Sequence, residues 1–157
     1  MDDVTLARAL HVLAVVHWIG GVSMVTLVIL PAIGRTVRAV DRLACFEAIE
    51  GPFSLQARVS IILAGASGFW MTHRMDLWHR FVEPGFWWMH AMVLVWLVFT
   101  LVLFVAEPLF LARWARTRAA IDPDGAFRLV LDGHRVLLAA SAVTTGAAVL
   151  GAHGMLP

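Results

Sequence analysis

The chain has 157 residues, of which 61% are hydrophobic and 15% charged, and its net charge is +1. Soluble domains of this length are about half apolar and a quarter charged. The excess here sits in four long blocks between short charged stretches, a pattern that lipid accepts and a single soluble core does not. The near-neutral balance excludes nucleic acid or a strongly acidic partner. The single cysteine, Cys45, excludes an intrachain disulfide and a CxxC redox motif.

The chain begins Met1-Asp2-Asp3, acidic where a signal peptide is basic, and its apolar run is too long for one, so the first helix is expected to stay in the mature protein. The first span covers about 5–30 and is expected to stop at Pro31, which cannot continue a helix. A polar connection with Arg35, Arg38, Asp41, Arg42, Glu47 and Glu50 surrounds a short helix. The second span covers about 53–71, and Gly65-Ala66-Ser67-Gly68 gives it a small-residue face for a close neighbour. A short connection rich in His and Trp leads to the third span, about 86–111, with Pro108 disturbing its last turn. Arg113, Arg116, Arg118 and Asp122-Pro123-Asp124-Gly125 mark a further loop before the fourth span, about 127–153. The expectation is one transmembrane domain over 1–157, an all-α integral membrane four-helix up-down bundle.

Arginines set the orientation. The first and third connections with their adjoining helix ends carry Arg35, Arg38, Arg42, Arg58, Arg113, Arg116, Arg118, Arg128 and Arg135, and the opposite side only Arg8, Arg74 and Arg80. Both termini then face outward, toward the periplasm in a bacterial inner membrane. Trp70, Trp78, Trp87 and Trp88 suit an aromatic belt at the outer surface.

Ionisable groups inside a span are costly and point to function. His11 and His17 lie on the first helix, His90 on the third and His134 on the fourth. Counted from the outer helix starts, His11 and His90 lie at similar depth, roughly 6–9 Å in, as two axial ligands of one haem iron would. His17 and His134 differ by roughly 10 Å in depth, so a structural role is favoured for each, with metal ligation as the alternative. Arg74 and Arg80 of the outer loop are candidates for haem propionates. The Gly-rich faces at Gly20, Gly21, Gly65 and Gly68 are candidates for seating a flat macrocycle. A second pattern, Met71, His73, Met75, His79, Met89, Met92, His153 and Met155 beside His11 and His90, suits copper chemistry near the outer surface. At the inner side Glu107 and Arg58 are expected to pair, with Asp132 and Arg135 extending the network, and ion pairing is favoured there over proton transfer.

The segment Leu10-His11-Val12-Leu13-Ala14-Val15-Val16-His17-Trp18-Ile19-Gly20-Gly21 resembles the first helix of the CopD-like copper-resistance group and of HemJ-type protoporphyrinogen oxidases, in which a His is followed about seven residues on by Trp and then a Gly-containing pair. The third helix, Phe86-Trp87-Trp88-Met89-His90-Ala91-Met92, is similar to theirs in position and aromatic entry, and the whole chain matches their four-helix unit in length. The resemblance implies that His11 matches the family histidine associated with b-type haem. Relatives often carry Lys where this chain has His90, and an acidic residue where it has His134. The resemblance therefore carries the fold and the role of His11; any enzymatic activity would be that of a HemJ-like oxidoreductase.

The resulting expectation is a b-type haem protein that passes electrons, with quinone or a redox protein as partner and with a homo-oligomer allowed. The alternatives are a copper-binding or copper-transport protein of CopD type, or a cofactor-free accessory subunit of a membrane complex.

Overall fold

The computed structural model describes residues 3–155, so Met1, Asp2 and the last two residues of the expected 1–157 domain lie outside the described residues. Among the described residues there are four long helices and no strand: α1 (Asp3–Thr36), α2 (Arg42–Arg74), α3 (Pro84–Ile121) and α4 (Pro123–Ala152). Helices α1, α3 and α4 are long and apolar enough to cross a membrane. Helix α2 is 33 residues long but falls short of that apolarity, because Ser54, Gln56, Arg58, Ser60 and Ser67 interrupt its apolar positions.

Proline does not end helices here in the way the sequence suggests. Helix α1 runs through Pro31 to Thr36 because Val25–Ile29 forms a widened π turn, in which the Leu30 N–H bonds the Val25 carbonyl five residues back. A wider turn makes room for a ring that has no N–H to give. Pro108 sits in a longer π-helical stretch, Val102–Leu111, and α3 continues beyond it. Pro52 lies inside α2, which fuses the expected short helix and second span into one element. The expected loop around residues 113–125 shrinks to Asp122, so Arg113, Arg116 and Arg118 are helical. Asp122 caps α4 by accepting the Gly125 N–H at 2.8 Å, and Pro123 occupies the first turn, where its missing donor costs nothing.

The helices form an antiparallel ring. His11 and His17 of α1 meet Ser67 and Ser60 of α2, while Gly65 and Ser54 of α2 meet Trp96 and Glu107 of α3. Trp88 of α3 packs on Gly151 of α4, and Phe127 of α4 lies beside Gly34 of α1. Both described chain ends therefore lie at one end of the bundle, and the opposite end is rich in arginine. The mid-level core holds Trp18, Val22, Ala57, Ile61, Phe99 and Leu103. Trp18 is 3% exposed and meets Phe99 edge-on at 4.7 Å, a pairing that contributes about 0.5–1.5 kcal/mol beyond its area. Ion pairs tie the ends: Arg42–Asp124 at 2.6 Å and Arg116–Glu47 at 3.0 Å at the arginine-rich end, and Arg74–Asp3 at 2.8 Å at the other.

Candidate functional site

Helix α2 supplies the partners of His11, His17, Trp96 and Glu107. His11 Nδ1 lies 2.9 Å from the Ala64 carbonyl and 3.2 Å from Ser67 Oγ. A carbonyl only accepts, so Nδ1 carries the proton and donates, which leaves Nε2 as the lone-pair atom of the ring. A metal-ligating histidine is commonly held in this way, its far N–H fixed on a carbonyl so that tautomer and orientation are set. Gly68 permits the approach, since a methyl group there would lie 3.2 Å from His11 Cε1. Six residues on, His17 Nδ1 is 2.9 Å from the buried Ser60 Oγ, and the rest of its ring is exposed. The sequence reading missed Ser60, Ser67 and the Ala64 carbonyl, although two serines seven residues apart share a helix face.

The other candidate histidines lie apart from His11. His90 is exposed on α3, its ring centre 5.3 Å from that of Phe81 in an edge-on arrangement. The interhelical register sets His11 closer in level to Trp96 than to His90, which stands roughly 6–9 Å nearer the end that holds the termini. His134 donates from Nδ1 to the Val130 carbonyl at 2.8 Å and meets Phe46 edge-on. Among the described residues no three His, Cys, Asp or Glu side chains converge. The outer His and Met residues divide. Met89 and Met92 pack in or against a core with Trp88 and Ala147, whereas Met75 and Met155 are exposed and His79 and His153 are bonded to nearby backbone carbonyls.

The glycines proposed to seat a macrocycle are mostly filled by the chain's own rings. Phe53 occupies the space beside Gly21, Trp96 lies 2.7 Å from a methyl position at Gly65, and the His11 ring covers Gly68. Gly20 alone of the four opens onto free space, in an apolar groove of about 350 Å³ with Val16, Ile19, Ala142 and Thr145. Nine residues separate it from His11, so the two face opposite sides of α1. Of the propionate candidates, Arg74 is held by Asp3. Arg80 lays its guanidinium over Phe86 at 4.8 Å, and its buried Nε has no hydrogen-bond partner among the described residues. The indole N–H of Trp18 is likewise buried without an acceptor.

Toward the arginine-rich end, Arg58 and Glu107 pair at 3.3 Å as expected. Arg58 also donates from Nε to the Leu103 carbonyl at 3.1 Å. In an i→i+5 ladder that carbonyl would look to residue 108, a proline with no N–H, so the guanidinium takes the missing donor's place. Ser54, which is 2% exposed, donates to both Glu107 oxygens at 3.1 and 3.3 Å. Asp132 and Arg135 pair with each other on an exposed face and form no link to this network among the described residues. One turn before Ser54, Glu50 is half-buried, and its carboxyl is pushed up to about 7, chiefly by burial, then by Glu107 and Glu47, with Arg58 opposing. Compared with known proteins, the chain matches no family model, and no curated protein or solved structure is detectably similar to it.

Proposed function

We propose that this chain is an integral membrane four-helix protein that holds b-type haem and passes electrons, and that His11 would be a ligand of its iron. One observation carries the reading: the His11 ring is anchored at Nδ1 by the Ala64 carbonyl across a helix interface, with Nε2 left as its lone-pair atom. The donor set suits the group. His90 offers a second, exposed imidazole on α3, roughly 6–9 Å nearer the end that holds the termini, and the Arg80 guanidinium lies over Phe86 at that same end. The filled glycines leave no room for a macrocycle beside Gly21, Gly65 or Gly68.

When bound, haem supplies one-electron exchange between ferric and ferrous iron, and its potential follows from axial ligands, hydrogen bonds and burial. The chain's own part is to hold and tune. The Ala64 carbonyl draws on the Nδ1 proton and makes Nε2 a stronger donor. Gly68 lets the ring lie close to α2, and Arg80 brings positive charge to the end that holds the termini, where Arg74 is paired with Asp3. Electrons would be exchanged with a membrane quinone or a redox protein. The arginine distribution supports an orientation with both termini outward, which in a bacterial inner membrane is the periplasmic side.

The test is an absorption spectrum of the purified protein in detergent, oxidised and then dithionite-reduced, with metal analysis. Sharp bands of a low-spin b haem are expected, lost in His11→Ala and weakened or shifted in His90→Ala. A colourless, iron-free protein after expression with ample haem overturns the reading. Bound copper would then select copper handling, and an empty bundle stable only with partners would select an accessory subunit.

A further inference from the structure

The seam between α1 and α4 carries charge at one level and a groove at another. Gly34 of α1 lies beside Phe127 of α4, so Arg35 and Arg128, each the next residue along, flank the seam within about one helical turn of each other. Both are exposed, and neither forms an ion pair among the described residues. Arg128 has a carboxylate one turn away on each side, but Asp124 is taken by Arg42 and Asp132 by Arg135. Arg35 has no acidic residue within a turn on its own helix. Two neighbouring guanidiniums without counter-anions suit a phosphate, whose oxygens match their forked donors.

Farther along the same seam, Gly20, Ala142 and Thr145 line the apolar groove of about 350 Å³. The helical rise puts Gly20 and Ala142 about 20–23 Å from the level of Arg35 and Arg128. Half of a bilayer with its headgroups is also about 20–22 Å thick. Ala142 and Arg128 are close to a whole number of turns apart and so share one face of α4. The Asp132–Arg135 pair stands between them, about 10 Å from Arg128, and cancels its own charge.

We propose that the α1–α4 seam binds one anionic phospholipid, its phosphate held by Arg35 and Arg128 and an acyl-chain end lodged in the groove at Gly20 and Ala142. Arginines alone would take any anion and a groove alone any chain; their spacing selects a molecule that has both. A zwitterionic lipid brings its own cation and gains less from unpaired arginines than a lipid of net negative charge. The site rests on the membrane reading above and is independent of haem.

The full chain is reconstituted in phosphatidylcholine vesicles, and flotation establishes insertion. Trace phosphatidylglycerol or phosphatidylcholine, each with a nitroxide near the end of one acyl chain, is then compared by electron paramagnetic resonance. Phosphatidylglycerol should give the larger motionally restricted signal, and its preference should fall by up to about fivefold in each of Arg35→Gln and Arg128→Gln. Arg113→Gln removes an exposed, unpaired arginine from α3 and should leave the preference unchanged. Gly20→Leu fills open space and should free the chain end. Equal losses in Arg113→Gln and the seam variants overturn the site, since the attraction would then be diffuse. So does a chain end still restricted in Gly20→Leu, or an inserted wild type without preference. Loss of a crosslinked dimer in Gly20→Leu would give the groove to a second copy and also overturns it. A protein that fails to float overturns the membrane reading and the site together.

Discussion

Replacing Glu50 by Gln keeps the side-chain shape and removes its titration. The carboxyl lies at about 7 in the folded chain against the usual glutamate value of 4.5. Raised in the folded state, it contributes stability that is complete below about pH 4.5, declines as pH rises, and is gone above about 7. Each pH unit in that window corresponds to roughly 1.4 kcal/mol, giving about 3 kcal/mol, which residual solvent at a half-buried group reduces to about 1–3 kcal/mol. The assay is unfolding in mixed dodecylmaltoside–SDS micelles, followed by circular dichroism across that pH range. Glu50→Gln should gain on the wild type as pH rises and hold its advantage at the alkaline end. A difference between the two proteins that is flat with pH, or that favours the wild type at high pH, refutes the reasoning.

Arg58→Met strands the Leu103 carbonyl and the Glu107 carboxylate and should cost about 3–5 kcal/mol in the same unfolding assay, with part recovered in Arg58→Met/Glu107→Gln. Gly65→Ala drives a methyl group into the Trp96 ring and displaces its N–H from the Ile61 carbonyl; a loss of about 1–3 kcal/mol and a changed tryptophan emission spectrum are expected. Gly68→Ala pushes the His11 ring by a few tenths of an ångström; under the proposed haem reading it should shift the midpoint potential without abolishing binding, and an unchanged potential would detach Gly68 from the proposed ligand. Alkaline phosphatase fused to the C-terminus should be active in cells, and the same enzyme inserted after Arg38 should be inactive.

Four helices in antiparallel order were legible from the four apolar blocks, because long blocks with short connections leave few other arrangements. The helix ends were not. Pro31 read as a stop and Pro108 as a disturbance of a last turn, and the second span was expected to begin only at 53, yet Pro31, Pro52 and Pro108 all lie inside helices, two of them beside or within widened turns that no periodicity announces. The Arg58–Glu107 pair was legible because two opposite charges at one depth have few other partners. Ser54, Ser60 and Ser67 were not singled out, since a serine in an apolar run looks the same whether it bonds its own backbone or a histidine across a seam. The glycines misled in the opposite direction: the space that each side chain leaves is visible in sequence, but not that Phe53, Trp96 and His11 fill it.

The widened turn of α1, Pro52 of α2 and Pro108 of α3 fall within about two helical turns of one another along the bundle axis, roughly 10 Å. Stacked in one layer, they give three of the four helices a waist of interrupted backbone ladder, which α4 crosses unbroken. In a bilayer, a change of thickness would be met by bending at that waist. Amide hydrogen exchange should reveal the waist directly, with the fastest interior exchange confined to this layer and slow exchange on either side.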